Sequence, residues 1–233
     1  MLIGGLQKST LIDYPGKVAA TVFTVGCNFK CGFCHNPELV DPKKIKRQPK
    51  ISEAAFFDFL ESRQGLLDGI CITGGEPAIQ PDIIDFIKKI KENKFLVKLD
   101  TNGSQPKILE KLFNQNLLDF VAMDIKSSQE SYSKTTGVNV NLQDIQKTID
   151  LIKQSKVDYE FRTTIAPGLI DNEEIEKIGQ WLKGSKKFVL QQFRSKKTLD
   201  QSWQNKKPLS DEKLKQMTKT AQKYFEQVEL RGI

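Results

Sequence analysis

The chain repeats one pattern six times. A short apolar run rich in β-branched residues meets a polar or glycine-rich stop, and a stretch of helical periodicity follows. The runs cover residues 18–25, 68–73, 95–99, 118–123, 157–165 and 188–193, and runs this short read as buried strands. Helices are expected over 52–63, 81–94, 106–116, 141–154, 171–182 and 210–224. Ser52 and either Asp171 or Asn172 are placed as N-caps, and Pro81 opens its helix. Phe56, Phe57 and Leu60 mark one apolar face; Ile83, Ile84, Ile87 and Ile90 mark another. Strand followed by helix, repeated, predicts an α/β chain with a mostly parallel sheet and helices outside. Six units are too few to close an eight-stranded barrel. The chemistry of such folds gathers in the loops past the C-terminal ends of the strands.

The loop after the first run carries the sharpest signal. Cys27, Cys31 and Cys34, three of the four cysteines, lie within eight residues directly after Gly26. Closed zinc sites and ordinary electron-transfer iron–sulfur clusters take four protein ligands. Three sulfurs leave one position open, which favours a redox cluster that also binds something other than protein. The alternatives are a zinc site completed by His35, the only histidine, or three cysteines of no joint purpose. Cys71, isolated inside the second run, reads as a small buried thiol.

Later strand ends carry polar groups too. Gly74-Gly75-Glu76-Pro77 follows the second run, and glycines there let backbone approach closely. Asp100-Thr101-Asn102-Gly103 follows the third; a carboxylate there suits a cation or ammonium group, or caps the next helix. Asp124-Ile125-Lys126 follows the fourth, with Asp124 and Lys126 on one face by strand alternation. That pair reads as a binding pair or as a surface ion pair of little energetic weight. Arg162 lies in the fifth run.

Composition narrows the class. Apolar residues make up 38%, enough for a full core and one large domain over 1–233. No run approaches the roughly 18 apolar residues of a transmembrane helix, and no signal-peptide pattern opens the chain. Clustered cysteines without such a signal point to metal binding in a reducing compartment, hence a cytoplasmic protein without membrane contact. The formal charge is +7, but the lysines are dispersed and no basic run interleaves with aromatics. That pattern argues for solvated surface or an acidic protein partner, and against nucleic acid. Residues 36–50, 127–140 and 195–208 read as connections, with Trp203 in the last as a cover for the core; a final extended stretch runs to Ile233.

Cys27, Cys31 and Cys34, with Phe33 before the last of them, resemble the radical S-adenosylmethionine (SAM) signature C-x3-C-x-aromatic-C. His35-Asn36-Pro37 resembles the subgroup that activates glycyl-radical enzymes. Leu11-Ile12-Asp13-Tyr14-Pro15-Gly16-Lys17 and the run up to Cys27 are similar to the activating proteins of anaerobic ribonucleoside-triphosphate reductase in their longer form. The resemblance covers roughly residues 1–195 and implies a partial (β/α)6 barrel, with a core over about 17–195 and an extension over 196–233 that carries a helix.

It also implies a [4Fe–4S] cluster held by Cys27, Cys31 and Cys34, with SAM on the fourth iron. Phe33, Gly74, Gly75, Glu76, Asp100, Thr101, Asp124, Lys126, Arg162 and Ile165 would surround SAM. In particular Gly74-Gly75-Glu76 would hold its amino group, Asp124 and Lys126 its ribose and carboxylate, and Ile165 would pack near adenine. Arg162 would reach the carboxylate or close a structural pair, and His35 would sit near the cluster without ligating it. The implied reaction is one-electron cleavage of SAM to methionine and a 5′-deoxyadenosyl radical, which takes hydrogen from a glycine of a partner enzyme. No side chain need act as an acid or base. The implied partners are a glycyl-radical enzyme, foremost anaerobic ribonucleotide reductase, and a flavodoxin or ferredoxin type electron donor, with residues 127–140 facing the partner enzyme. The pyruvate formate-lyase activators carry a histidine near the end of strand six, where this chain reads Gln191-Gln192-Phe193-Arg194. Activation of pyruvate formate-lyase, small-molecule chemistry of the 7-carboxy-7-deazaguanine synthase type, and a non-catalytic zinc-binding interaction protein are the alternatives.

Overall fold

A computed structural model describes all residues from 1 to 233. Its strands are β1 (Ile3–Thr10), β2 (Ala19–Thr24), β3 (Gly69–Gly74), β4 (Leu96–Thr101), β5 (Phe120–Asp124), β6 (Asp158–Ile165), β7 (Lys187–Gln192) and β8 (Gln227–Arg231). Its helices are α1 (Pro37–Val40), α2 (Pro42–Ile45), α3 (Glu53–Glu61), α4 (Ile83–Glu92), α5 (Pro106–Asn114), α6 (Tyr132–Thr136), α7 (Leu142–Gln154), α8 (Asn172–Trp181) and α9 (Asp211–Ala221). All six expected strands form. No helix is long and apolar enough to cross a membrane.

The chain resolves into two compact units. One comprises residues 1–28, 38–121 and 144–158; the other comprises 29–37, 122–143 and 159–233. In the first unit β2, β3 and β4 are parallel, in unbroken register from Ala19 opposite Gly69 to Thr24 opposite Gly74. The unexpected strand is β1, antiparallel to β2 and broken by irregularities in its register. Its sequence hides it: Gly4 and Gly5 lack the side chains a strand packs with, and Gln7, Lys8 and Ser9 are exposed. Gly4 is glycine because a Cβ there would stand 2.5 Å from the Leu39 side chain.

Helices cover the first unit through the expected stripes, with two corrections. On α4 the buried residues are Ile83, Phe86, Ile87 and Ile90, an i, i+3, i+4, i+7 set, and Ile84 falls off it. On α3 Phe56 and Leu60 are buried and Phe57 is not; the Ser52 hydroxyl caps this helix by accepting from the Ala55 N–H at 3.1 Å. The connection over 36–50 is less irregular than expected: Pro37 and Pro42 each open a single helical turn.

β5 runs out of the first unit after Val121 and ends in the second. There β6, β7 and β8 are parallel and follow chain order. Phe161, Phe188, Val189 and Leu190 fill the interior, and the Phe188 and Phe225 rings stack at 4.5 Å. Glu160, with no exposed side-chain surface, meets both Nη atoms of Arg231 at 2.7 and 2.8 Å and Lys187 Nζ at 3.5 Å. The same guanidinium and Lys187 hold the Glu229 carboxyl down to about 2. Residues 127–140 are also more ordered than expected. Glu174 on α8 accepts from the Ser128 N–H and from the Ser128 and Ser131 hydroxyls, and α6 follows.

Candidate active site

Cys27 follows β2 after two residues, Val25 and Gly26. Just before it, the Gly26 carbonyl accepts the Glu76 N–H at 2.8 Å, and the Thr24 carbonyl accepts the Gly75 N–H at 2.9 Å. Gly75 lies so close that a Cβ there would overlap the Gly26 carbonyl. Gly74 has φ +116, and its Cβ would stand 2.5 Å from the Thr24 nitrogen. The close approach these glycines permit is therefore to the chain's own backbone, at the root of the cysteine loop. Gly75→Ala is expected to destabilise the protein by about 3 kcal/mol, the cost of forcing atoms into a packed site. Urea unfolding would show it as a lowered midpoint with little change in slope.

Glu76 is 1% exposed, and its carboxylate is engaged on both oxygens. It accepts from the Ala78 N–H at 3.0 Å, the Thr101 hydroxyl at 2.7 Å and the Asn102 N–H at 2.6 Å. One side chain thus latches the end of β3 to the end of β4. Asn102 extends the latch toward the cysteine loop: its Nδ2 lies 2.9 Å from Asn28 Oδ1 and 3.9 Å from Cys27 Sγ. Asp100 is paired with the ammonium of Lys98, which is 1% exposed. Cys71 Sγ lies 3.7 Å from Lys98 Nζ and 3.8 Å from Asp100 Oδ1, so its thiol sits beside buried charge.

In the second unit Asp124 and Lys126 do share a face, and their ion pair measures 3.0 Å. Arg162 Nε lies 3.0 Å from the other Asp124 oxygen. Burial alone would raise the Asp124 carboxyl, but the charges of Arg162 and Lys126 outweigh it and hold the group well below its ordinary 3.8. Lys126 is held above its ordinary value because Asp124 outweighs burial in turn. A carboxyl depressed by folding contributes stability above its unfolded pKa and loses it as pH falls through the folded one. Asp124→Asn is expected to cost about 2 kcal/mol at neutral pH, discounted for the one-third exposure of this side chain. The difference from wild type should shrink in acid below about pH 4 and be constant above it, as urea unfolding across pH would show.

Cys31 is buried, and burial pushes its thiol up to about 11, while the Lys126 charge favours the thiolate. Cys34 closes a turn by donating its N–H to the Cys31 carbonyl at 3.0 Å. Phe33 is buried with its ring 5.6 Å from Trp203. His35 has Nδ1 at 3.2 Å from the Lys197 carbonyl and its ring 5.7 Å from Phe193; burial and the Arg194 charge lower its pKa. Ile165 is fully buried at the end of β6.

The three thiols share one loop, no disulfide involves any cysteine, and no three His, Cys, Asp or Glu side chains already converge as a metal site. The donor chemistry fits an iron–sulfur centre nonetheless: three sulfurs on one short segment, one of them beside an ammonium group. Sequence reasoning missed Lys98, Asn102 and the contact of the 197–203 segment with the loop. Lys98 was legible in its i, i+2 spacing from Asp100, and Asn102 stood inside the quoted strand-end motif. Nothing local announced the third.

The radical SAM superfamily profile matches residues 21–182. A protein of Methanocaldococcus jannaschii that bears the provisional name glycyl-radical enzyme activating enzyme is 35% identical over 238 residues, covering 100% of this chain and 96% of that protein. The pyruvate formate-lyase-activating enzyme of Clostridium pasteurianum is 29% identical, covering 78% and 76% of the two chains. Among solved structures, Streptococcus suis SuiB bound to S-adenosylmethionine superposes with a TM-score of 0.68 at 14% identity; the match covers 91% of this chain and 52% of SuiB. Enzymes of the superfamily use a [4Fe–4S] cluster and SAM, and the chain, an α/β fold of parallel strands matched over most of its length, belongs to the radical SAM superfamily, among the relatives of glycyl-radical enzyme activating enzymes.

Proposed function

We propose that the protein activates a glycyl-radical enzyme, with anaerobic ribonucleoside-triphosphate reductase as the partner. The observation that carries the reading is the loop of three thiols rooted at the end of β2, in a chain whose 35% identical relative is named for that activity. When bound, the cluster and SAM supply the one-electron cleavage that yields a 5′-deoxyadenosyl radical. The chain's task is to hold, orient and shield. Cys27, Cys31 and Cys34 would hold the cluster through their thiolates. Gly74, Gly75 and Glu76 are assigned to the amino group of SAM, and Phe33, Asp100 and Thr101 to further contacts with it. Asp124, Lys126 and Arg162 form a charge triplet whose two cations receive the carboxylate, while Asp124 takes the ribose hydroxyls. Ile165 offers an apolar surface to adenine.

The single functional domain of 1–233, the role of 196–233 as an extension, the cytoplasmic location and a flavodoxin or ferredoxin donor belong to the same proposal. Residues 127–140 are assigned to the partner face.

A second reading rests on the 7-carboxy-7-deazaguanine synthase of Methanothermobacter thermautotrophicus, 32% identical over 143 residues but covering 59% of this chain and 53% of that protein. One experiment separates them. Anaerobically reconstituted, reduced protein is mixed with SAM and purified reductase, and 5′-deoxyadenosine and the glycyl radical signal are followed together. Both should rise in step. Nucleoside formation with no radical on either reductase or pyruvate formate-lyase would move the assignment to small-molecule chemistry; zinc with no nucleoside formed would remove it altogether.

A further inference from the structure

We propose that Trp203 is a positioning residue for the iron–sulfur centre and that the 197–203 segment is a backing splint for the cysteine loop. The inference rests on the reading that Cys31 and Cys34 hold the cluster. The loop is gripped residue by residue on this side. The Asp200 N–H donates to the Gly32 carbonyl and the Leu199 N–H to the Cys34 carbonyl, both at 3.0 Å. His35 meets the Lys197 carbonyl. A Cβ on Gly32 would stand 2.6 Å from the Trp203 indole nitrogen, so the loop has glycine there because the indole lies against its backbone. The same indole packs on Phe33 and, at 5.8 Å, on Phe193, and Lys206 Nζ lies 3.7 Å above it. Its turn is capped by Asp200, whose carboxylate accepts the Ser202 N–H at 2.9 Å.

On the loop's N-terminal side the Lys30 N–H donates to the Thr136 carbonyl at 2.9 Å. The Gly32 and Cys34 carbonyls and the Phe33 ring are therefore already engaged, and the loop enters ligation with little freedom left to lose. Loss of partners that orient ligands in this way typically costs about 10–100-fold in metal affinity. The indole also keeps water off the loop's rear face, which slows loss of iron.

The test compares full-length wild type, Trp203→Ala and Trp203→Phe, each reconstituted anaerobically. Iron release to a ferrous chelator is timed, and the reduced cluster is examined by electron paramagnetic resonance with and without SAM. Trp203→Ala should release iron about tenfold faster or more, the scale seen when an outer partner of a metal site is lost. Its spectrum should broaden or shift on adding SAM, and Trp203→Phe, which keeps a ring against Phe33, should recover most of both properties. Should Trp203→Ala fail to fold, Asp200→Ala loosens the same turn with the indole kept, and faster release is again expected. Unchanged release and spectra in a folded variant, even with a lowered urea midpoint, would reduce Trp203 to a core residue and overturn the inference. A wild type that holds no four-iron cluster overturns the underlying reading as well, and is told apart by its iron and sulfide content before any variant is made.

Discussion

Cys31→Ala is expected to remove bound iron and SAM cleavage together. The loop offers three sulfurs, and two cannot hold a cubane whose fourth iron must stay open to SAM. The loss should exceed the roughly 10–100-fold that follows loss of an outer partner, taking 5′-deoxyadenosine formation to background. The fold should survive, because the substitution removes one sulfur from a thiol that is 6% exposed and leaves the loop's backbone bonds in place. Iron and sulfide analysis with an anaerobic turnover assay reads the first effect; urea unfolding of the apoprotein reads the second. Cys71→Ala is the control. That thiol lies beside Lys98 and Asp100, on β3. It should keep full iron content and most activity, with only a small stability cost. A Cys31→Ala protein with full cluster and turnover would sink the ligand assignment.

Glu76→Ala is expected to cost about 4 kcal/mol, the largest stability effect of any single substitution considered. The carboxylate accepts from three donors: the Ala78 N–H, the Thr101 hydroxyl and the Asn102 N–H. Removing it leaves buried donors unmade, each at about 1–3 kcal/mol, and relaxation recovers part of the sum. Glu76→Gln keeps the shape and one carbonyl, so it should cost about half as much, because its amide then faces a donor instead of accepting from one. Urea unfolding of both variants gives the comparison. Equal stability of Glu76→Ala and wild type would show that the ends of β3 and β4 are held by something else. The variant also separates two uses of the residue: a deficit in SAM cleavage that vanishes when the protein is stabilised by cold or osmolyte belongs to the latch rather than to SAM contact.

The strand–helix alternation was legible because each element carries its own period. The six internal strands and the stripe over Ile83, Ile87 and Ile90 are local patterns that burial enforces. β1 was hidden because its pairing with β2 rests on backbone bonds and on two glycines, which leave no period in the side chains. The positions of Cys27, Cys31, Cys34 and the later strand-end motifs were legible for the same reason as the strands: each sits where a run of apolar residues stops. What the sequence could not display was who holds whom. Glu76 reads as part of a ligand-facing turn, yet its oxygens go to Ala78, Thr101 and Asn102. Trp203 was legible as a cover, but not that the surface it covers is the cysteine loop some 170 residues earlier. Such long-range pairings depend on packing geometry, and no local periodicity encodes them.

The fork between Glu160 and Arg231 has a consequence for synthesis. The two residues are 71 positions apart, and Glu160 has no exposed side-chain surface once the unit is folded. A ribosome delivers the carboxylate 71 residues before the guanidinium. Until Arg231 has emerged, burying Glu160 would leave a charge with only Lys187 at 3.5 Å to answer it. The β6–β7 region therefore has reason to stay open while α9 and β8 are being made. Its closure is therefore tied to the arrival of β8, which carries the guanidinium that answers Glu160.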